Sequence, residues 1–444
     1  MPKVHACIAA LTLFLLPACA EAQPARFDAD AVAADVTEWE DWLFATHPQP
    51  EFSMDVERVR ARFGALRDGL RDGLNEDYTR REAWLSLALL NPYFADGHVT
   101  VRLPVEDYEA WLADGGAAFT LPVRLEGHQL RVAETVAESS RARAGEIITA
   151  INDQAVGPLI EAALARTNGD TPGLRRHVVE TRFARYLWAL TGGAMDWQVT
   201  LRDDQGAIRT LTLDPEREQA GRDAEHWSLD VQDEAAILTL NTFAPNLQNE
   251  FNAFIDASFA DIAARGSDVL VIDISQNGGG AHMLSDHLLA YLTDQRHTPL
   301  SAVTARITPE NQARIPGSAL GQVISMPFAQ WVEPPAELAN RFDGRFAFLV
   351  GAGTYSQAIV LAATVQDFDI APVAGPGTEG RANSTGQVQL HRLANTDLEV
   401  AAPIYVFTRA SGDTSSAAIV PDIPLNGSRE HQITALIALL QTGD

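Results

Sequence analysis

The sequence predicts an α/β protein, and three observations carry that reading. Two runs of continuous apolar residues, Val269–Ile274 and Phe346–Val350, each lead into a glycine-bearing loop and then a helical pattern. Such runs are strands buried on both faces, as in a parallel sheet covered by helices. In front of them the signals are segregated: residues 27 to about 95 read as helices, and 121 to 215 as short strands interrupted by helix.

Taken in order, residues 1–22 have the parts of a signal peptide: Lys3 as the basic region, a short apolar run from Ala6 to Ala18, and small residues in Ala20-Glu21-Ala22. The run is too short to span a bilayer, and no later stretch approaches membrane-spanning length. Leu16-Pro17-Ala18-Cys19 also resembles a lipobox, which would anchor the chain by lipid at Cys19. Pro17 is unusual there, and soluble export to the periplasm or medium is the reading ranked first. Cys7 and Cys19 are the only cysteines. Cleavage after Ala22 leaves no thiol for disulfides, nucleophilic catalysis or metal ligation.

Residues 23–115 read as a helical domain. Val32, Val36, Trp39 and Leu43 make one apolar stripe, and Val56, Val59, Phe63 and Leu66 another. A further helix from Thr79 is expected to break at Asn91-Pro92, before the turn Asp96-Gly97-His98 and a short strand. In 116–220 strands are expected at Leu121–Leu125, Leu130–Ala133, Ile147–Ile151, Trp197–Leu201 and Ile208–Leu213, with a long helical insertion before the last two. In 221–444 strand and helix alternate: strands at Ala235–Leu240, Val269–Ile274 and Phe346–Val350, helices at Leu247–Arg265, Met283–Thr293, Ser356–Gln366 and Glu430–Leu440. Met326–Asn340 reads as a long loop or lid.

Lys and Arg total 33 against 59 Asp and Glu, a formal charge of −26. That surface repels phosphate backbones and excludes a nucleic-acid partner. No cofactor or metal motif is present: the loop Asn277-Gly278-Gly279-Gly280 lacks both the P-loop and the dinucleotide spacing. Consecutive glycines after a buried strand suit an oxyanion hole, a phosphate cradle or a plain tight turn. Ser356 follows Gly351-Ala352-Gly353-Thr354-Tyr355 at the start of a helix, beside free amides and the positive end of the helix dipole. That is a nucleophile's position and equally an N-cap's, and N-cap serines are the commoner case.

The motifs in order resemble those of tail-specific (C-terminal-processing) and tricorn-type serine peptidases. VLVIDISQNGGG is similar to their D-x-R-x-NGGG element, FLVGAGTYSQA to the nucleophile turn, VAGPGTEGRANSTGQ to a conserved hairpin, VPDI to a terminal motif, and FADGHVTV to a D-x-H-T turn. AGEIITAINDQAV resembles a PDZ segment. The resemblance implies a ClpP/crotonase-like α/β core with a helical N-terminal domain and an inserted PDZ-like domain. It further implies peptide or protein substrates and acyl transfer through Ser356.

Many relatives activate the serine with a lysine twenty-five positions later. Here that position is Arg381, and Lys3 is the only lysine in the chain. Arginine stays protonated and cannot act as the base. A histidine must serve, and the resemblance points to His98, with His282 as the local competitor. It places the orienting carboxylate at Asp413, with Asp422 and Glu379 behind it. The expected oxyanion donors are Gly279 and Gln357, and Arg381, Gly278 and Gly280 are expected to touch substrate. The alternative is a catalytically inactive protein binding peptide or an apolar ligand on the same scaffold. A crotonase-like acyl-CoA enzyme is disfavoured by export.

Overall fold

The computed structural model describes residues 25–73, 77–134, 136, 140–214, 226–232 and 235–442. The signal peptide, the Cys19 anchor and the 220/221 boundary therefore lie outside the described residues.

The architecture is mixed α/β with several sheets. The sheet that positions the nucleophile has six strands in the order Trp227–Gln232, Ala235–Leu240, Val269–Asp273, Arg345–Leu349, Val373–Gly375 and Ile423–Pro424. The first pair is antiparallel and the rest are parallel. Side chains alternate across it, as the period of two requires. Leu270, Ile272 and Phe348 face the helices Gln248–Arg265, His282–Ala290 and Gln357–Asp367. Val269, Val271, Ala347 and Leu349 face Ile433, Leu436 and Leu440 of the closing helix Arg429–Thr442. Burial on both faces explains why these strands are apolar throughout.

A second sheet runs Val323–Pro327, Leu300–Arg306, Glu399–Arg409, Thr385–Arg392, and the short strand Thr100–Val101 also pairs with Glu399–Arg409. That single pairing carries the turn bearing His98 across to the core. A third sheet, Val123–Glu126, Gln129–Val132, Ile147–Ile151, Gln198–Arg202 and Ile208–Thr212, holds helices Val156–Leu164, Pro172–Thr181 and Phe183–Thr191 within its sequence. Its core is continuous with that of the N-terminal helices. Trp39, Phe63, Phe94, Leu130, Ile148 and Leu201 belong to one buried cluster with Leu398 and Val400.

The expected break at Asn91-Pro92 is present: the helical path from Arg80 ends at Leu90, and Pro92 sits in the first turn of a new short helix, Asn91–Phe94, where its missing N–H has no acceptor to lose. The stretch expected as a loop from Met326 begins within the strand Val323–Pro327, and Val332 bridges to His297. The strands Trp227–Gln232 and Leu300–Arg306 are additional; Trp227, Leu229 and Val231 do alternate with polar residues as in a half-buried strand, whereas small and polar residues dilute that signal in Leu300–Arg306.

Candidate active site

Adjacent parallel strands end side by side, so the loops after Val269–Asp273 and Arg345–Leu349 meet at the carboxyl edge of the sheet. Hydrogen bonds zip them together: Gly353 N donates to Ser275 O (3.1 Å), Tyr355 N to Asn277 O (2.9 Å) and Thr354 Oγ1 to Ile274 O (2.8 Å). Asn277 is fully buried and anchors the glycine loop, its Nδ2 donating to Leu240 O at 3.0 Å. Asp273, beneath the loop, pairs with Arg429.

Ser356 occupies the N-cap position of helix Gln357–Asp367, with φ 53° and ψ −122°. A left-handed φ on a residue with a side chain is strained and persists only where surroundings enforce it. Its hydroxyl makes no capping bond to the helix. This separates the two readings left open by the sequence, since a serine selected as a cap would accept from an N2 or N3 amide. Oγ turns instead to His98, whose Nε2 lies 3.2 Å away.

The His98 ring is held from its other side. Nδ1 is 2.8 Å from Thr385 Oγ1, and Thr385 Oγ1 is 3.0 Å from Asp96 Oδ1. A carboxylate only accepts, so the Thr385 hydroxyl donates to Asp96 and its oxygen accepts from Nδ1–H. That chain leaves Nε2 unprotonated towards the Ser356 hydroxyl, the tautomer a general base requires. Asp96 Oδ1 also accepts from His98 N at 2.7 Å. Burial pushes the Asp96 carboxyl up, but the neighbouring His47 and His98 outweigh it and hold its pKa below the usual range.

Tyr355 stacks on the His98 ring at 5.0 Å between centroids and closes the far wall. Its hydroxyl donates to Asp170 Oδ1 (2.9 Å) and accepts from Gly97 N (3.0 Å). A Cβ on Gly97 would fall 2.4 Å from that hydroxyl oxygen, so only glycine fits between Asp96 and His98. Burial, with Asp170 and Asp96 nearby, pushes the Tyr355 phenol well up, and it stays a donor. Burial and then repulsion from Asp96 push Asp170 upward, partly offset by Arg381 and Gly97.

Several expected site residues sit elsewhere. The Asp413 carboxylate accepts from Ser415 N (2.9 Å) and Oγ (2.8 Å) in its own exposed loop. Among the described residues no hydrogen bond or ion pair joins it to His98. Asp422 accepts from Val373 N, and Glu379 from Thr171 Oγ1, so neither orients the ring. His282 begins the helix after the glycine loop, exposed, with no bond from its ring to Ser356 among the described residues. Arg381 braces the site: Nη1 donates to Ala95 O at 2.6 Å and lies 3.7 Å from Asp170 Oδ2.

The glycine loop is also corrected in detail. The N–H of Gly279 already donates to Asn277 Oδ1 at 2.8 Å, so it is not a free oxyanion donor. What Gly279 supplies is space: with φ +95°, a Cβ there would lie 2.7 Å from Gln357 N, Ser356 Cβ and Tyr355 O. The N–H groups of Gly278 and Gly280 have no acceptor among the described residues. Gln357 N is the first amide of its helix, where no intrahelical acceptor exists. Asp96, Thr385, Tyr355 and Asp170 are the residues sequence reasoning left without a role. Asp96, Tyr355 and Thr385 all lay inside segments that resemble family motifs, whereas Asp170 lay in none.

Residues 234–425 match the family model described as Peptidase family S41. The chain carries a peptidase family S41 domain. That match places the segment among serine-type peptidases. Among solved structures, mature CPAF is 13% identical with a TM-score of 0.63, covering 94% of this chain and 98% of that one. Mature CPAF complexed with lactacystin is 13% identical with a TM-score of 0.62, covering 94% and 97%. The photosystem II D1 C-terminal processing protease is 17% identical with a TM-score of 0.49, covering 89% and 93%. At such identities the CPAF likeness establishes a shared fold. Comparison with curated proteins finds no significant match. The S41 match contains Ser356, the glycine loop and Thr385, whereas Asp96, His98 and Asp170 lie outside it.

Proposed function

We propose that this S41 protein is an exported serine peptidase that cleaves peptide bonds through an acyl-enzyme on Ser356, with His98 as the base. The observation that carries the reading is the 3.2 Å approach of His98 Nε2 to an uncapped Ser356 Oγ. His98 Nε2 takes the hydroxyl proton as Oγ attacks the peptide carbonyl. The tetrahedral oxyanion is held by Gln357 N at the helix N-terminus, with a second amide from Gly278 or Gly280. The imidazolium gives its proton to the leaving amine, and water then hydrolyses the ester by the same route in reverse. Asp96, acting through Thr385, takes the orienting part expected of Asp413: it fixes the tautomer and stabilises the imidazolium without touching substrate.

Export rests on the N-terminal sequence pattern. The sheet from Val123 to Thr212 is read as a PDZ-like insert that offers an edge for an extended peptide, and the six-stranded layer as a ClpP/crotonase-like core. A fluorophosphonate probe, followed by mapping of the adduct, tests the mechanism. We expect a single adduct on Ser356, abolished in Ser356→Ala and strongly slowed in His98→Gln. Unlabelled Ser356 in folded protein, or peptide hydrolysis retained in Ser356→Ala, overturns it.

A further inference from the structure

We propose that the cleft between helix Val56–Arg71, the turn around Leu89–Tyr93 and the start of helix Pro172–Thr181 binds an amphiphilic anion, an apolar group ending in a carboxylate. The cleft has a volume of about 630 Å³, within the range of small-molecule sites. Leu66, Leu89, Leu90, Pro92 and Leu164 supply apolar lining, and Leu89 is 41% exposed although large and hydrophobic. Three arginines, Arg62, Arg175 and Arg176, complete the lining.

The charges identify the occupant. The chain has 59 acidic residues against 33 basic ones, so carboxylates are available nearly everywhere. Arg60 and Arg67, on the same helix as Arg62, both pair with Glu40. Yet none of the three cleft arginines forms an ion pair among the described residues. Arg175 is anchored by donating to Gly169 O at 3.1 Å, and Arg62 lies 4.7 Å from the centroid of the Tyr93 ring. Burial, and then Arg176 beside it, lowers the Arg175 pKa, a cost that a bound anion would relieve. Arginine forks beside an apolar lining match a carboxylate on an alkyl or aliphatic group. A polyanion such as nucleic acid does not suit the apolar lining or the charge of the whole chain.

The test is calorimetric titration of the whole chain with decanoate, decan-1-ol, and a short peptide ending in leucine with a free or an amidated C-terminus. We expect saturable binding of decanoate or of the free-acid peptide, with the uncharged counterpart at least about tenfold weaker. The peptide and decanoate arms distinguish a peptide terminus from a fatty acid as the source of the carboxylate. Arg62→Gln combined with Arg176→Gln changes two exposed side chains without hydrogen bonds to lose, and should weaken binding at least about tenfold. Leu89→Asp, which adds a repelling charge at an exposed position, should abolish it, with thermal melts confirming that both variants fold. Equal binding of acid and neutral partner, unchanged affinity in the folded variants, or no saturable binding of either acid overturns the proposal.

Discussion

The two halves of the site are built by opposite strategies. Ser356 is set by its own neighbourhood: a buried strand, a seven-residue turn and a helix, with the strain at φ 53° locked by bonds to the glycine loop beside it. His98 is set by distant segments. Thr385 is 287 residues away, Tyr355 is 257 away, and Asp170 reaches the turn through Gly97. A nucleophile on one strand–turn–helix survives as a recognisable motif; the base keeps its short Asp96-Gly97-His98 turn, but the distant residues that hold its ring have no fixed spacing from it in sequence. The contrast also predicts different failures: damage to the serine half removes the chemistry, and damage to the histidine half detunes it.

The sharpest break is Ser356→Ala or His98→Ala. Each should lower kcat/KM by about 10⁴ or more, and the double variant should be scarcely worse than either single, because the pair acts as a unit. Additive losses would show that the 3.2 Å contact is not functional coupling. Next is Gly279→Ala. Its Cβ would meet three atoms at 2.7 Å, including Ser356 Cβ and Gln357 N, so the nucleophile and its donor must both shift. Activity should fall by about 10²–10³, with a stability loss of about 1–3 kcal/mol by urea denaturation. An active, fully stable Gly279→Ala would remove the local-placement argument.

Thr385→Val probes the other half. It keeps the shape but breaks the link from Nδ1 to Asp96, and kcat should fall about tenfold to a hundredfold with KM little changed. Thr385→Ser should restore most of the rate. A fall in KM-dependent binding alone, or failure of serine to rescue, would reduce Thr385 to a packing residue.

This division explains what could be read in advance. The buried strands, the glycine loop, Ser356 and the exclusion of a lysine base were legible because each is a local pattern or a simple count. The oxyanion detail was not, since the Gly279 amide is consumed by Asn277 Oδ1, a side chain two residues earlier that merely looked polar. Asp413 drew notice by its distance from a terminal motif, yet the carboxylate two residues before His98 does the bonding. Spacing along the chain says little about which acid a fold brings to a ring.

The smallest effect is a matter of pH and concerns helix Pro172–Thr181, which lies between the nucleophile loop and the strand Val123–Glu126. Its Glu180, in contact with Leu125 N, is pushed from 4.5 to about 7 by burial. Its His177, packed beside Gly353 of the nucleophile loop, is pushed from 6.5 down to about 4, again by burial. Between these limits the folded chain holds a proton on Glu180 that the unfolded chain has released, so this group lowers stability as pH rises from 4.5 to 7. His177 does the reverse: the unfolded chain gains a proton that the folded chain refuses, so stability is lost as pH falls from 6.5 to 4. The two slopes oppose each other and should nearly cancel in the native protein. Glu180→Gln keeps an acceptor for Leu125 N but removes one slope. It should therefore gain stability relative to the native chain as pH rises, levelling off above about 7 at up to about 3 kcal/mol, and should lose stability on acidification more steeply. Urea unfolding at several pH values between 4.5 and 7.5 reads the difference directly. Parallel stability curves would mean that helix Pro172–Thr181 does not bury its titrating groups and packs less tightly against the nucleophile loop and the strand Val123–Glu126 than their contacts indicate.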